Sequence, residues 1–90
     1  MAERTVTTPE GVGLHARPAA LFAQAAGKAP TDVTIAKPGG TPVNAKSILA
    51  VLSLDVRGGE EIVLSADGDE AEEVLDRLAA VISTPEGTHG

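Results

Sequence analysis

The sequence predicts an α+β fold, with elements in the order strand, helix, strand, strand, apolar segment, strand, helix. Two observations carry most of that prediction: short β-branched or alternating segments recur along the chain, and two stretches have helical composition or period. Arg4-Thr5-Val6-Thr7-Thr8 is rich in β-branched residues and is stopped by Pro9, which makes residues 4–8 the first strand. Residues 16–26 are dominated by strong helix formers and end at Gly27, the residue type expected just past a helix C-terminus. Residues 32–37 alternate polar and apolar, and Pro38-Gly39-Gly40 turns the chain into a second arm at residues 42–45. Pro42 has no amide hydrogen for a ladder, so that arm belongs at a sheet edge. Residues 48–54 are apolar and short, which a buried strand explains as well as a helix. Residues 60–66 read as the fourth strand. In the last helix Ala71, Val74, Leu75, Leu78, Val81 and Ile82 share one face, Asp67 or Asp69 caps the start with Glu70 or Glu72 three residues on, and Thr84-Pro85 ends it. Residues 84–90 have little to bury and are expected to be a flexible tail, with no role for His89.

At 90 residues the chain has room for one domain with a small core, residues 1–90 with the core at about 4–83. It contains no cysteine, so neither disulfides nor thiolate-bound metal support it, and Phe22 is its only aromatic residue. Aliphatic packing must hold the fold together. No apolar run approaches the ~20 residues of a membrane span, and Met1-Ala2-Glu3-Arg4 lacks the apolar stretch of a signal peptide, so a cytoplasmic protein without direct membrane insertion is expected. A net charge of -6 and one aromatic residue argue against nucleic acid as a partner. The charge is uneven. Residues 11–50 carry Arg17, Lys28, Lys37 and Lys46 against Asp32 alone, while residues 55–90 hold ten of the 13 acids. That asymmetry suits a locally basic surface docking on acidic partners, or simply a solvated acidic helix.

The chemistry concentrates in Gly13-Leu14-His15-Ala16-Arg17-Pro18. Gly13 permits a sharp turn, Pro18 fits a first helical turn, and His15 then falls at the helix N-cap. The amides of Ala16 and Arg17 would carry the positive end of the helix dipole and meet phosphate oxygens on His15. An unperturbed imidazole titrates near ~6.5 and is therefore largely neutral and nucleophilic at cellular pH. A guanidinium such as that of Arg17 can fork onto phosphoryl oxygens and steady the charge that builds during transfer. For an isolated histidine and arginine, a cap beside a surface side chain is the plainer reading. The glycine, the proline and the helix start together favour a phosphoryl carrier.

Extended to Ala19-Ala20, that hexapeptide resembles the active-site motif of the HPr family, the histidine-containing phosphocarriers of the phosphoenolpyruvate:sugar phosphotransferase system. Val43-Asn44-Ala45-Lys46-Ser47-Ile48-Leu49-Ala50-Val51-Leu52-Ser53-Leu54 resembles the family's second signature. Gly59-Glu60-Glu61-Ile62-Val63-Leu64-Ser65-Ala66-Asp67-Gly68 resembles its last strand and turn. The resemblance implies an HPr-like open-faced β-sandwich, βαββαβα, with a four-stranded antiparallel sheet covered on one face by three helices. It makes residues 48–54 a short helix beside the active-site histidine, with Ile48, Leu49 and Leu52 partly exposed as a partner-binding patch.

In mechanism, the resemblance implies that Enzyme I, charged by phosphoenolpyruvate, passes a phosphoryl group to Nδ1 of His15, which donates it to IIA domains of sugar permeases. Arg17 assists both transfers, and the chain is a stoichiometric carrier, a monomer needing no metal or organic cofactor of its own. Ser47 is placed to cap the backbone amide of Ala50. In some relatives this serine is also phosphorylated by a dedicated HPr kinase/phosphorylase, and the added charge would impair docking on an acidic partner. Capping alone and regulated capping both fit. Two positions depart from the family pattern: Val12, where relatives often carry a polar residue able to hydrogen-bond near the histidine, and Ala50, where some carry a basic residue or glycine. Orientation of His15 must then rest on other groups. A regulatory paralogue, controlling transcription factors or enzymes through the same surface, is the alternative function. A metal-binding domain fails for want of ligands, since only His15 and His89 are present.

Overall fold

The computed structural model describes residues 2–8 and 16–83, without the side chains of residues 16–18 and 83. The expected turn at Gly13, His15 as a helix cap, the side chains of Arg17 and Pro18, and the tail 84–90 lie outside the described residues. Seven elements follow in order: β1 (Ala2–Thr7), α1 (Ala16–Gly27), β2 (Val33–Ala36), β3 (Val43–Asn44), α2 (Ile48–Ser53), β4 (Glu61–Ala66) and α3 (Ala71–Ser83). The strands form one antiparallel sheet in the order β1-β4-β2-β3. The architecture is the open α+β arrangement expected from the sequence.

Period-two alternation places one face of each strand in the core. Val6 pairs with Ile62, and Arg4 pairs with Leu64, which pairs in turn with Ile35 of β2. Ile62, Leu64, Val33 and Ile35 are buried and merge with Phe22 of α1 and Leu75 and Leu78 of α3 in one hydrophobic core. The inward-facing charge on the edge strand is Arg4. Its guanidinium donates to Asp76 at 2.5 Å and to Glu72 at 3.0 Å, both on α3, and the hydrogen bond to Asp76 is the main cause that raises its pKa. A charge turned inward on an edge strand also discourages pairing with another chain.

Several boundaries move from their sequence-based positions. β1 begins at Ala2 because Ala66 and Ser65 of β4 supply partners for Ala2 and Glu3, and it ends at Thr7, so Thr8 leaves the ladder. β3 is only two residues long and lies at the sheet edge, as Pro42 requires. The connection from β2 closes through an amide of Gly40 donating to the Lys37 carbonyl at 2.8 Å, with Pro38 second and Gly39, at φ 77°, third. A proline followed by a positive-φ glycine is what a type II turn demands. α3 starts later than either aspartate implies: its first full-turn bond runs from the Val74 amide to the Glu70 carbonyl, which makes Glu70 the capping position. Along α3 the expected stripe is buried except Val81, which is half-buried against the core.

Candidate functional site

α1 forms because alanine dominates it and because Ala19, Phe22, Ala23 and Ala26 recur at helical spacing, all four buried. The helix begins at Ala16, directly after His15 in the chain. The amides of Ala16 and Arg17 are thus among the first four that helix geometry leaves without an intrahelical acceptor. Pro18 falls in this first turn, where a missing amide hydrogen costs nothing. Distances from His15 or from the Arg17 side chain lie outside the described residues.

α2 settles the ambiguity of the second apolar segment in favour of a helix. Ser47 stands at its N-cap with extended backbone, φ -103° and ψ 116°, and its hydroxyl oxygen accepts from the Ala50 amide at 3.3 Å. The approach is fixed by the Asn44 side-chain oxygen accepting from the Lys46 amide at 3.0 Å, and by the Lys46 ammonium donating to the Ala29 carbonyl at 3.2 Å. Within α2 only Val51 is fully buried, and it pins the helix to the core. Ile48 is 38% exposed and Leu49 76% exposed, whereas Leu52 is half-buried and packs against the core. The outward apolar surface is therefore carried mainly by Ile48 and Leu49.

For so short a helix the cap matters. Ser47→Ala is expected to cost about 1 kcal/mol, lowering the thermal midpoint by ~4–8 °C in a domain of this size. Thermal melts followed by far-ultraviolet circular dichroism check this.

α1 and α2 pack side by side and enclose an open cleft of about 280 Å³ lined by Ala20, Ala23, Gln24, Lys46 and Ile48. The structure thus sets Ile48 and the residue before Ser47 against the first helix. Leu21, 51% exposed on α1, is a further outward apolar side chain and was not singled out in the sequence. The signal was present, since position 21 falls off the 19, 22, 23, 26 stripe. Thr8, the one polar residue buried among those described, was also missed, because a threonine in a β-branched run reads as an ordinary strand residue.

Comparisons with known proteins agree with this geometry. Residues 2–84 match the family model described as PTS HPr component phosphorylation site. The phosphocarrier protein HPr of Streptomyces coelicolor is 54% identical over 83 residues, covering 92% of this chain and 89% of that protein. The crystal structure of HPr from Bacillus anthracis superposes with a TM-score of 0.84 at 41% identity, over 91% of this chain and 96% of that one. The structure of Crh, a catabolite-repression protein of Bacillus subtilis described as a swapped dimer, gives a TM-score of 0.71 at 42% identity over 90% of both chains. With a family match over nearly the whole chain, and with the second signature on β3 and α2, the chain belongs to the HPr family of phosphocarrier proteins of the phosphotransferase system.

Proposed function

We propose that this chain accepts a phosphoryl group from Enzyme I on Nδ1 of His15 and donates it to IIA domains of sugar permeases in the cytoplasm, acting as a monomer. The observation that carries the reading is the chain order of His15, Ala16 as the first residue of α1, and Arg17, in a chain of the HPr family. In the first transfer the phosphorus–nitrogen bond to the histidine of Enzyme I breaks as one to His15 forms. In the second, the same exchange runs to the acceptor on IIA. Neither step consumes a cofactor of this chain. The amides of Ala16 and Arg17 hold phosphoryl oxygens, and the Arg17 guanidinium offsets their charge during both transfers.

Docking is assigned to Ile48 and Leu49, with Leu52 contributing its exposed edge. Apolar side chains left outside the core beside a reactive centre are a common device for protein recognition. Leu49→Asp is expected to raise the KM of Enzyme I for this carrier about tenfold or more, with no loss of thermal stability, because the side chain contributes little to the core. Ser47 serves as the α2 cap and, in the regulated version of this role, as a phosphorylation target for an HPr kinase/phosphorylase. A phosphate there would add about -1.5 to -2 of charge next to the docking patch.

A regulatory paralogue is the second reading, and the likeness to Crh favours it. A paralogue that had abandoned transfer would have no need of the histidine, so an intact His15 supports the carrier role. The test is a reconstituted relay: phosphoenolpyruvate labelled in its phosphoryl group, Enzyme I, this chain and a IIA domain. Label on IIA that depends on the chain is expected. Label that stops on the chain with every IIA domain tried would favour the regulatory role.

A further inference from the structure

Asp55 is the one non-glycine among the described residues with a positive φ, at 52°, and glycine holds the other such positions, Gly39, Gly59 and Gly68. At that angle a side chain crowds the following carbonyl, whereas glycine adopts it without the clash. Asp55 also follows Leu54, the C-cap of α2, where a helix dipole favours a cation over a carboxylate. The side chain returns little to the fold. Its carboxylate is 72% exposed and accepts from the Arg57 guanidinium at 3.1 Å, and an ion pair so open to water adds little stability. Two local preferences are thus overridden at a side chain that lies mostly in solvent, the pattern of a residue kept for function.

Beside it lies the docking surface. The Asp55 amide donates to the carbonyl of Leu52 at 3.1 Å, the residue whose exposed edge joins that surface. Asp55 is six residues past Leu49, roughly 9 Å along a helix axis, well inside an interface that covers about 800 Å² of each partner. Residues 48–54 carry no charge, so the apolar patch is bracketed by the cation of Lys46 and the anion of Asp55. Opposite charges at the two ends of a patch set the direction in which a partner lies across it. We propose that Asp55 is a specificity-determining residue of the docking surface, its carboxylate receiving a lysine or arginine side chain of Enzyme I in exchange for Arg57. The proposal rests on the reading that Enzyme I docks on α2, and Enzyme I is the partner met in every round of transfer whatever acceptor follows. A protein presenting an acid at the same place is repelled, so one carboxylate both admits and excludes.

Asparagine and glycine both tolerate the left-handed angle, so Asp55→Asn and Asp55→Gly remove the charge without straining the backbone. The experiment measures the KM of Enzyme I for wild type, Asp55→Asn, Asp55→Gly and Leu49→Asp, the onward transfer to a IIA domain, and thermal midpoints. KM is expected to rise about three- to fivefold in both Asp55 variants, with midpoints no lower than that of wild type. The ratio to wild type should shrink toward one near ~1 M salt, where charges are screened beyond ~3 Å. A wild-type KM in folded Asp55→Asn, a rise that salt leaves undiminished, or a lower midpoint in Asp55→Gly would overturn the assignment. Weakening confined to transfer onto IIA would also overturn it, by moving the basic side chain to the acceptor. A wild-type KM for Leu49→Asp would instead remove the docking reading on which the assignment stands, and the assignment with it.

Discussion

His15→Ala is expected to abolish phosphoryl uptake from Enzyme I while leaving the fold unchanged. The chain has only one other histidine, His89, six residues past the end of α3, and no cysteine, so no second nucleophile of this kind adjoins the motif in sequence. Arg17 and the first amides of α1 can stabilise a phosphoryl group but cannot carry one. Even the loss of a helix cap costs only about 0.5–2 kcal/mol, which a domain stabilised by ~5–15 kcal/mol tolerates. Labelled phosphate retained on the protein in a gel run under alkaline conditions gives the first readout. An unchanged amide spectrum gives the second. Persistent label at wild-type level in the variant would move the acceptor to another residue.

Phe22→Ala is expected to have the largest effect on stability. Phe22 is fully buried, is the only aromatic side chain in the protein, and joins α1 to the common core of sheet and α3. Removing a buried phenyl ring costs about 3–5 kcal/mol, because the transfer free energy of the ring is lost and the cavity collapses only in part. The surrounding core is built from alanine, valine, leucine and isoleucine, and no disulfide limits the unfolded chain. The loss therefore consumes a large share of a net stability of ~5–15 kcal/mol. Urea titration should show the midpoint falling steeply at an unchanged slope. A shift worth less than about 1 kcal/mol would mean that the helix repacks over the sheet without its ring.

Much of the fold was legible because its elements obey local rules. The alternation in β2, the alanine content of α1 and the period of α3 each correspond to an observed element, and the stripe expected on α3 is the face it buries. α2 was not legible from pattern. Six residues are too few to separate a helix from a strand, and hydropathy would bury Leu49, which is 76% exposed. Only the resemblance of residues 43–54 to a family signature made that segment a helix with an outward apolar face. This conflict between local preference and burial is what a docking surface produces. The Ser47 cap was readable in advance, since a serine hydroxyl three residues before Ala50 has an obvious donor.

Thr8 was beyond reach for the opposite reason. Its partners, Arg57 and Glu60, are 49 and 52 positions away in the chain, and no local pattern announces them. The extension of β1 to Ala2 had the same origin, because strand length was set by the partner β4 rather than by propensity. At α3 the error was local. Two aspartates offered plausible caps, and the helix instead begins one turn-residue later, with Glu70 supplying the first accepting carbonyl.

The most direct test of phosphoryl carriage is intact-protein mass after incubation with phosphoenolpyruvate, magnesium and Enzyme I. A gain of one phosphoryl group that is lost in acid, as a phosphorus–nitrogen bond requires, is the expected result for wild type, with no gain for His15→Ala. No gain in wild type while Enzyme I charges another HPr, or an acid-stable gain, would contradict a histidine phosphocarrier.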